Sequence, residues 1–349
     1  MGVGIIVLIQ TGVGILGNSL LLGLYTLPLI NRHMLKPTDC ILSHLVVANN
    51  LVLLKGIPHI MATFGSPSFL DDTVCKLIFY LHRVARGVSL AITCFLSVFQ
   101  ALKLNPNTPK WLEFSMRSSK HIGSCCLFCW ISHLLLNIFI AMNVTGPREN
   151  KNRSMEKYHG YCSSPIPDGF VVTLHAALFS FSDGVCVALM VWASGSMVVV
   201  LYRHKKQVQC LHSSSLSPRP SHEVRAMGSV LLLVSLFVSC YSLSSILTLL
   251  VTLIMNPRTW LSVICMLMTS AFPTFSPLLL LARDTRVCQF CSACWRTNNF
   301  LSVGNQLVTS LHLLSAEVCV SRKLGPGAEP GLEQGLSRDS KPDSPSSAL

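Results

Sequence analysis

Six polar residues follow one another at helical spacing along a stretch of the chain that is otherwise apolar apart from Arg83. They are His82, Arg86, Ser89, Thr93, Ser97 and Gln100, which are separated by 4, 3, 4, 4 and 3 positions. Eighteen residues over five steps give 3.6 residues per step, which is the period of an α-helix. The spacing therefore predicts a helix with a narrow polar stripe. In a membrane, such a stripe has to face other helices or a cavity, because polar side chains are costly in lipid.

The charged residues of this stretch are the candidates for ligand chemistry. His82 and Arg86 lie 7 and 11 residues past Cys75, which places them roughly 10–17 Å along the helix. Arg86 could attract an anionic or acceptor-rich ligand into a pocket, with His82 and Ser89 as neighbouring ligand-binding candidates. Alternatively, Arg86 holds the bundle together through carbonyl groups or an acidic partner, for which Asp183 is the clearest candidate. The residues alone leave both roles open.

No set of residues typical of catalysis occurs in the sequence. It lacks G-x-S-x-G, H-E-x-x-H and any Gly-rich phosphate loop, so we predict no enzyme, no catalytic residues and no cofactor. Cys288, Cys291 and Cys294 recur at i, i+3 and i+6, which could suit palmitoylation on a short amphipathic helix. Three cysteines without a fourth ligand are weak evidence for zinc. We interpret them as plain interfacial cysteines and predict no metal site.

The composition points to a membrane protein. Only 12% of the 349 residues are charged and 50% are hydrophobic, with a mean hydropathy of +0.53. Soluble domains carry about 25% charged residues, so the lipid bilayer is the predicted environment. The formal net charge of +12 comes from loops, and the chain has no basic helix or aromatic-basic module. We therefore predict no nucleic-acid partner.

Seven apolar runs are long enough to cross a bilayer, which takes roughly 20 residues each. They lie near residues 3–29, 40–64, 75–103, 121–143, 170–202, 227–254 and 260–282. The fold class that follows is all-α, a seven-transmembrane helix bundle. Pro58 predicts a kink in the second span, and Pro273 and Pro277 predict a bend in the seventh.

The distribution of basic residues predicts the orientation of this bundle. The loops on one side carry 14 Lys and Arg residues and those on the other side carry five. Since cytoplasmic loops carry the excess of positive charge, the N-terminus is predicted to be extracellular and the C-terminus cytoplasmic.

Two further groups of residues follow from this orientation. Arg203, His204, Lys205 and Lys206 extend the fifth span into the cytoplasm, where a G protein could dock, although any membrane protein places bases there. On the extracellular side, Asn152-Arg153-Ser154 is a glycosylation sequon. Asn143 begins a second sequon, but it lies too close to the fourth span for us to predict its modification.

Several strings of the sequence resemble one receptor family. They are KPTDCILSHLVVANNLVLL (36–54), CKLIFYLHRVARGVSLAITCFLSVFQAL (75–102), GYCSS (160–164), WASGSMVVVLYRHKKQVQ (192–209) and FPTFSPLLLLARD (272–284). Over roughly residues 10–296 the chain is similar to the vomeronasal type-1 receptors, a family of G-protein-coupled receptors. Asp-Arg-Tyr after the third span and Asn-Pro-x-x-Tyr in the seventh are missing, and both absences are normal for that family.

The resemblance implies a function and several details. It implies a multi-pass plasma-membrane receptor that detects pheromone-like small molecules and activates a heterotrimeric G protein of the inhibitory class. A disulfide between Cys75 and Cys162 is plausible because both lie on the predicted extracellular side, and the resemblance favours it over two unrelated thiols. Because the string from His82 to Gly87 looks like a family-wide feature, the resemblance also favours an architectural role for Arg86.

The domain organisation and the competing functions complete the expectations. Residues 1–296 form the predicted receptor domain and residues 297–349 a cytoplasmic tail. From Gly325 the tail is too poor in apolar residues to build a core, so it is predicted to be largely disordered. A bitter-taste-type chemosensory receptor is the alternative within the same class. A membrane transporter fits less well. Transporters are often built from two repeats with broken helices at matching positions, and the Pro residues of these spans do not occur at matching positions.

Overall fold

The computed structural model of the chain describes residues 2–30, 36–63, 72–105, 109, 118–143, 156–159, 162–165, 169–211, 222–253 and 259–283. Asn152, the three cysteines Cys288, Cys291 and Cys294, and the predicted tail 297–349 lie outside the described residues.

The described part of the chain is built from eight helices and one short hairpin. The helices are α1 (Gly2–Ile30), α2 (Pro37–Leu53), α3 (Gly56–Thr63), α4 (Asp72–Leu104), α5 (Ser119–Asn143), α6 (Gly169–Leu211), α7 (His222–Leu253) and α8 (Thr259–Arg283). Strands β1 (Glu156–His159) and β2 (Cys162–Pro165) pair antiparallel between α5 and α6. Each predicted span coincides with helix, and the second is divided between α2 and α3. The predicted all-α bundle is confirmed.

The lengths and compositions of these helices suit a bilayer. Six apolar segments of 20 to 29 residues are long enough to cross it, and they lie on α1, α2 with α3, α4, α5, α6 and α8. Helix α7 has a shorter described apolar segment, Val230–Ser244. The architecture is therefore that of a multi-pass membrane protein.

Helix α4 is the central element of the bundle. It packs against α2, α5, α6 and α7, and 61% of its apolar segment is buried, against 17% to 50% for the other segments. A helix enclosed in this way has little surface left for lipid. The polar stripe on α4 therefore faces protein.

Pro58 explains why the second span breaks. Proline has no N–H to donate, and its ring would clash with the carbonyl four residues earlier, that of Leu54. At this point the bonding changes to a tighter i to i−3 pattern. Lys55 N–H bonds the Val52 carbonyl at 3.4 Å and Ile57 N–H bonds the Leu54 carbonyl at 3.0 Å. The predicted kink is a full interruption between α2 and α3.

Prolines of α8 are accommodated by close packing against α1. Pro277 cannot donate to the carbonyl of Pro273, and the Nδ2 of Asn18 donates to that oxygen instead, at 2.9 Å. A Cβ at Gly17 would lie 3.1 Å from the ring of Pro277, whereas one at Gly12 would meet nothing within 4 Å. The absence of a side chain at Gly17 therefore permits this approach of α1 to α8.

Candidate ligand-binding site

The polar stripe of α4 faces the interior of the bundle, as its spacing predicts. Arg86 is half-buried, and the other members of the stripe are buried, namely His82, Ser89, Thr93, Ser97 and Gln100. Thr93 and Ser97 bond carbonyls of their own helix, those of Ser89 and Thr93, at 2.7 and 2.8 Å. These two hydroxyls are therefore satisfied locally, whereas the members nearer Cys75 reach other helices.

His82 contacts the backbone where the second span breaks. Its Nδ1 lies 3.1 Å from the carbonyl oxygen of Val52. A carbonyl can only accept a hydrogen bond, so this contact requires the imidazole proton on Nδ1. The arrangement holds α4 against the end of α2, and His82 is not among the residues that line the cavity described below.

Ser89 belongs to a buried chain of hydrogen bonds through Asn49. The hydroxyl of Ser89 donates to the Oδ1 of Asn49 at 3.0 Å, and the Nδ2 of Asn49 donates to the hydroxyl of Ser276 at 3.0 Å. All three side chains are buried. The Asn49 amide on α2 therefore joins three helices: its oxygen accepts from α4 and its nitrogen donates to α8.

A cavity lies between α2, α4, α7 and α8, beside Arg86. Its cavity volume is about 30 Å³, and it is partly open to the surroundings. The lining residues are Val52, Arg86, Ser89, Phe237, Cys240, Tyr241, Ser244, Met268, Thr269, Phe272 and Pro273. Among the described residues its walls are mainly apolar and aromatic, with one charged side chain, which is the usual character of a small-molecule site.

The Arg86 guanidinium lies over an aromatic ring whose hydroxyl is hydrogen-bonded to Asp183. The guanidinium carbon lies 4.9 Å from the centroid of the Tyr241 ring, within the range of a cation–π interaction. The hydroxyl of Tyr241 donates to the carboxylate Oδ2 of Asp183. Asp183, the acidic partner proposed from the sequence, is thus reached through Tyr241.

The two roles left open for Arg86 are compatible in this arrangement. The side chain braces α4 against α7 through Tyr241 and also lines the cavity. Whether it touches a ligand stays a prediction, as it does for His82 and Ser89. Tyr241 and Asn49 were not among the candidates predicted from the sequence. A weak signal existed for both, since each places a hydrogen-bonding side chain within a predicted apolar span.

Lys55 adds a second basic group near Arg86. It lies at the interruption between α2 and α3, and its Nζ is 5.8 Å from the centroid of the Phe79 ring on α4. Lys55 and Arg86 are close enough to interact electrostatically. The half of the bundle nearer Cys75 therefore concentrates positive charge beside the cavity.

Other predicted residues are only partly described. Cys75 lies early in α4, and Cys162 is the first residue of β2. Their side chains are not among those described, so the disulfide stays a prediction.

Helix α6 carries Arg203, His204, Lys205 and Lys206 near its C-terminal end. The side chains of Arg203 and Lys206 are exposed. Within the described ranges, no group of three or more His, Cys, Asp or Glu could hold a metal ion.

Comparison with known proteins agrees with this architecture. The model of the vomeronasal organ pheromone receptor family matches residues 1–293. The chain is 50% identical to vomeronasal type-1 receptor 1 of Homo sapiens over 292 residues, which cover 83% of this chain and 82% of that protein. It is 44% identical to vomeronasal type-1 receptor 4 of Homo sapiens over 291 residues, or 83% and 96% of the two chains.

A third relative, vomeronasal type-1 receptor 90 of Rattus norvegicus, is 32% identical over 279 residues, which cover 80% of this chain and 89% of that protein. The match to a receptor family favours neither the bitter-taste receptor nor the transporter. Together with the membrane-spanning helices around α4, these similarities show that the chain belongs to the vomeronasal type-1 receptors, a family of chemosensory G-protein-coupled receptors.

Proposed function

We propose that this receptor detects a pheromone-like small molecule in the cavity beside Arg86 and that the Arg86 guanidinium is the polar group that orients it. The observation that supports this proposal is the position of Arg86, half-buried in the bundle and lining an apolar cavity. A charge at this depth is costly unless it serves a partner or a cavity.

The contact of Arg86 with Tyr241 leaves it able to bind. A guanidinium has five N–H donors, and a cation–π contact does not use them as conventional hydrogen bonds. These groups can donate to a carbonyl, hydroxyl or anionic oxygen of a ligand. The nearby Lys55 raises the local positive potential, which favours an anionic or acceptor-rich ligand. Aromatic walls such as Phe237 and Phe272 would hold its apolar body.

We also propose the orientation and the signalling partner. The excess of basic residues on one side supports an extracellular N-terminus and a cytoplasmic C-terminus. The cavity then lies toward the extracellular half, and Arg203, His204, Lys205 and Lys206 face a heterotrimeric G protein of the inhibitory class. In this orientation Cys75 and Cys162 are placed to form a disulfide, and Asn152 is placed for glycosylation.

The test is expression of the full chain with an inhibitory-class G protein and exposure to a panel of volatiles and steroid conjugates. We expect at least one compound to lower cyclic AMP in a dose-dependent manner. Replacing Arg86 by Gln should reduce its potency at least tenfold, since charge-assisted hydrogen bonds contribute about 1.5–3 kcal/mol, while surface expression is unchanged.

Lys103→Gln is the matched control. It removes the same charge near the other end of α4, from an exposed side chain that is not among the residues lining the cavity. We expect its potency to stay within about threefold of the parent receptor, in keeping with the small energies of exposed charges. An Arg86→Gln receptor that reaches the surface and responds with unchanged potency would refute the ligand contact.

A further inference from the structure

The cavity is connected to a helix that supplies none of its described lining residues. Those residues come from α2, α4, α7 and α8. Helix α6 enters the site indirectly, because its half-buried Asp183 accepts the hydrogen bond from the hydroxyl of Tyr241. Tyr241 is therefore shared between the cavity and α6.

Three interactions set the position of the Tyr241 ring. The Arg86 guanidinium lies over the ring, Phe237 stacks against it with centroids 5.6 Å apart, and Asp183 accepts from its hydroxyl. Phe237 is on the same helix, so it fixes the ring to α7 itself. Arg86 and Asp183 are on α4 and α6. A ligand that moves the Arg86 guanidinium would therefore remove one of the three interactions that position the ring.

The hydrogen bond between Tyr241 and Asp183 is important because α7 has little other packing against α6. In the described residues α7 packs most extensively against α8 and only lightly against α6. A hydrogen bond to a carboxylate is among the stronger polar interactions, and low surrounding polarity strengthens it further. The pair of Asp183 and Tyr241 is thus well placed to hold α6 and α7 together.

We propose that Asp183 is a positioning residue that couples occupancy of the cavity to α6. In the empty receptor it holds Tyr241 beneath Arg86 and ties α7 to α6. A ligand oxygen that accepts hydrogen bonds from Arg86 draws the guanidinium away from the Tyr241 ring. The ring then loses the contact that holds it, and its hydroxyl leaves Asp183. Helices α6 and α7 are then free to separate. This coupling rests on the proposed function, since it requires that the ligand enters beside Arg86.

The test measures signalling without any ligand. Tyr241→Phe keeps the ring and its stacking but removes the hydroxyl, and Asp183→Asn keeps an acceptor but removes the charge. We expect each variant to raise basal signalling at matched surface expression, with the active-to-resting ratio increasing about tenfold for Tyr241→Phe, since a hydrogen bond to a charged group is lost. A change that only weakened folding would lower surface expression and would not raise signalling per receptor.

A double variant and a control complete the experiment. If both residues act through one hydrogen bond, Tyr241→Phe combined with Asp183→Asn should signal no more than the stronger single variant. Tyr202→Phe is the control, because Tyr202 lies on α6 with 68% of its surface exposed. We expect its basal signalling to be unchanged.

Two results would overturn the coupling. One is basal signalling of Tyr241→Phe and Asp183→Asn that is equal to or below that of the parent receptor at the same surface level. The other is a double variant whose effects add. A failure of the ligand site would be seen separately, as an unchanged response of Arg86→Gln, because basal signalling is measured with the cavity empty.

Discussion

The amide Nδ2 of Asn49 donates to the hydroxyl of Ser276 at 3.0 Å, across the contact between α2 and α8. Its Oδ1 accepts from Ser89, which also lines the cavity. Asn49 and Ser276 are fully buried and Ser89 nearly so. The wall of the cavity is thereby connected to α8 through two hydrogen bonds made by one side chain.

Replacing Asn49 by Ala should destabilise the receptor. Both hydroxyls would lose their partner in a buried place, and interhelical hydrogen bonds in membrane proteins contribute roughly 0.6–2 kcal/mol each. We expect the free energy of unfolding to fall by about 1.5–3 kcal/mol. This loss would be measured as a lower midpoint of thermal unfolding of the detergent-solubilised receptor. Ser196→Ala is the control, since that exposed hydroxyl bonds the carbonyl of Trp192 on its own helix. Equal midpoints for the two variants would contradict the bridging role.

Gly87 should not tolerate a side chain. A Cβ at this position would lie 2.4 Å from the Nδ1 of His133 on α5, so Gly87→Ala forces the two helices or the imidazole to move. Overpacking of this kind costs about 1–3 kcal/mol. At Gly184, by contrast, a Cβ would meet nothing within 4 Å, and Gly184→Ala should raise stability by up to about 1 kcal/mol through helix propensity.

Thermal unfolding of both glycine variants tests this contrast. Adding His133→Ala to Gly87→Ala should recover part of the loss, because the clashing ring is then absent. A Gly87→Ala receptor at least as stable as the parent would show that α4 and α5 do not approach as closely as this contact requires.

The bond from Asn18 to the Pro273 carbonyl should depend on Pro277. Asn18→Ala removes the donor to an oxygen that Pro277 cannot serve, and we expect a loss of roughly 0.6–2 kcal/mol. Pro277→Ala restores a backbone N–H to that oxygen. In this background the further change of Asn18 to Ala should cost measurably less. Unfolding midpoints of the four receptors form a double-mutant cycle, and strictly additive losses would argue against this compensation.

Most of the architecture could be predicted from the sequence. Runs of apolar residues located the helices, and the 3.6-residue spacing from His82 to Gln100 predicted which face of α4 is buried. Both signals are local, since they depend on the bilayer thickness and on the period of one helix. The effect of Pro58 was predictable for the same reason, because proline removes a hydrogen bond from its own helix wherever that helix lies.

The side-chain pairings of the site could not be predicted in this way. Tyr241 and Asp183 are 58 residues apart, and Asn49 and Ser276 are 227 apart. A pairing of this kind depends on how each helix is rotated and how deep it lies relative to its neighbours. The polar residues of α7 specify neither, because they lie on several faces of the helix: Ser235 and Ser244, nine residues apart, are on opposite sides.

Composition and residue spacing were enough to predict a helical membrane bundle in which α4 turns a polar face inward, and the sequence motifs were enough to indicate the vomeronasal type-1 receptors. What that face contacts became known only from the packed bundle. It places Arg86 over Tyr241, Ser89 on Asn49 and His82 on the Val52 carbonyl. The physical reason is that a helical period specifies direction around one axis, whereas a contact requires two helices whose rotation and depth are set by packing of the whole bundle.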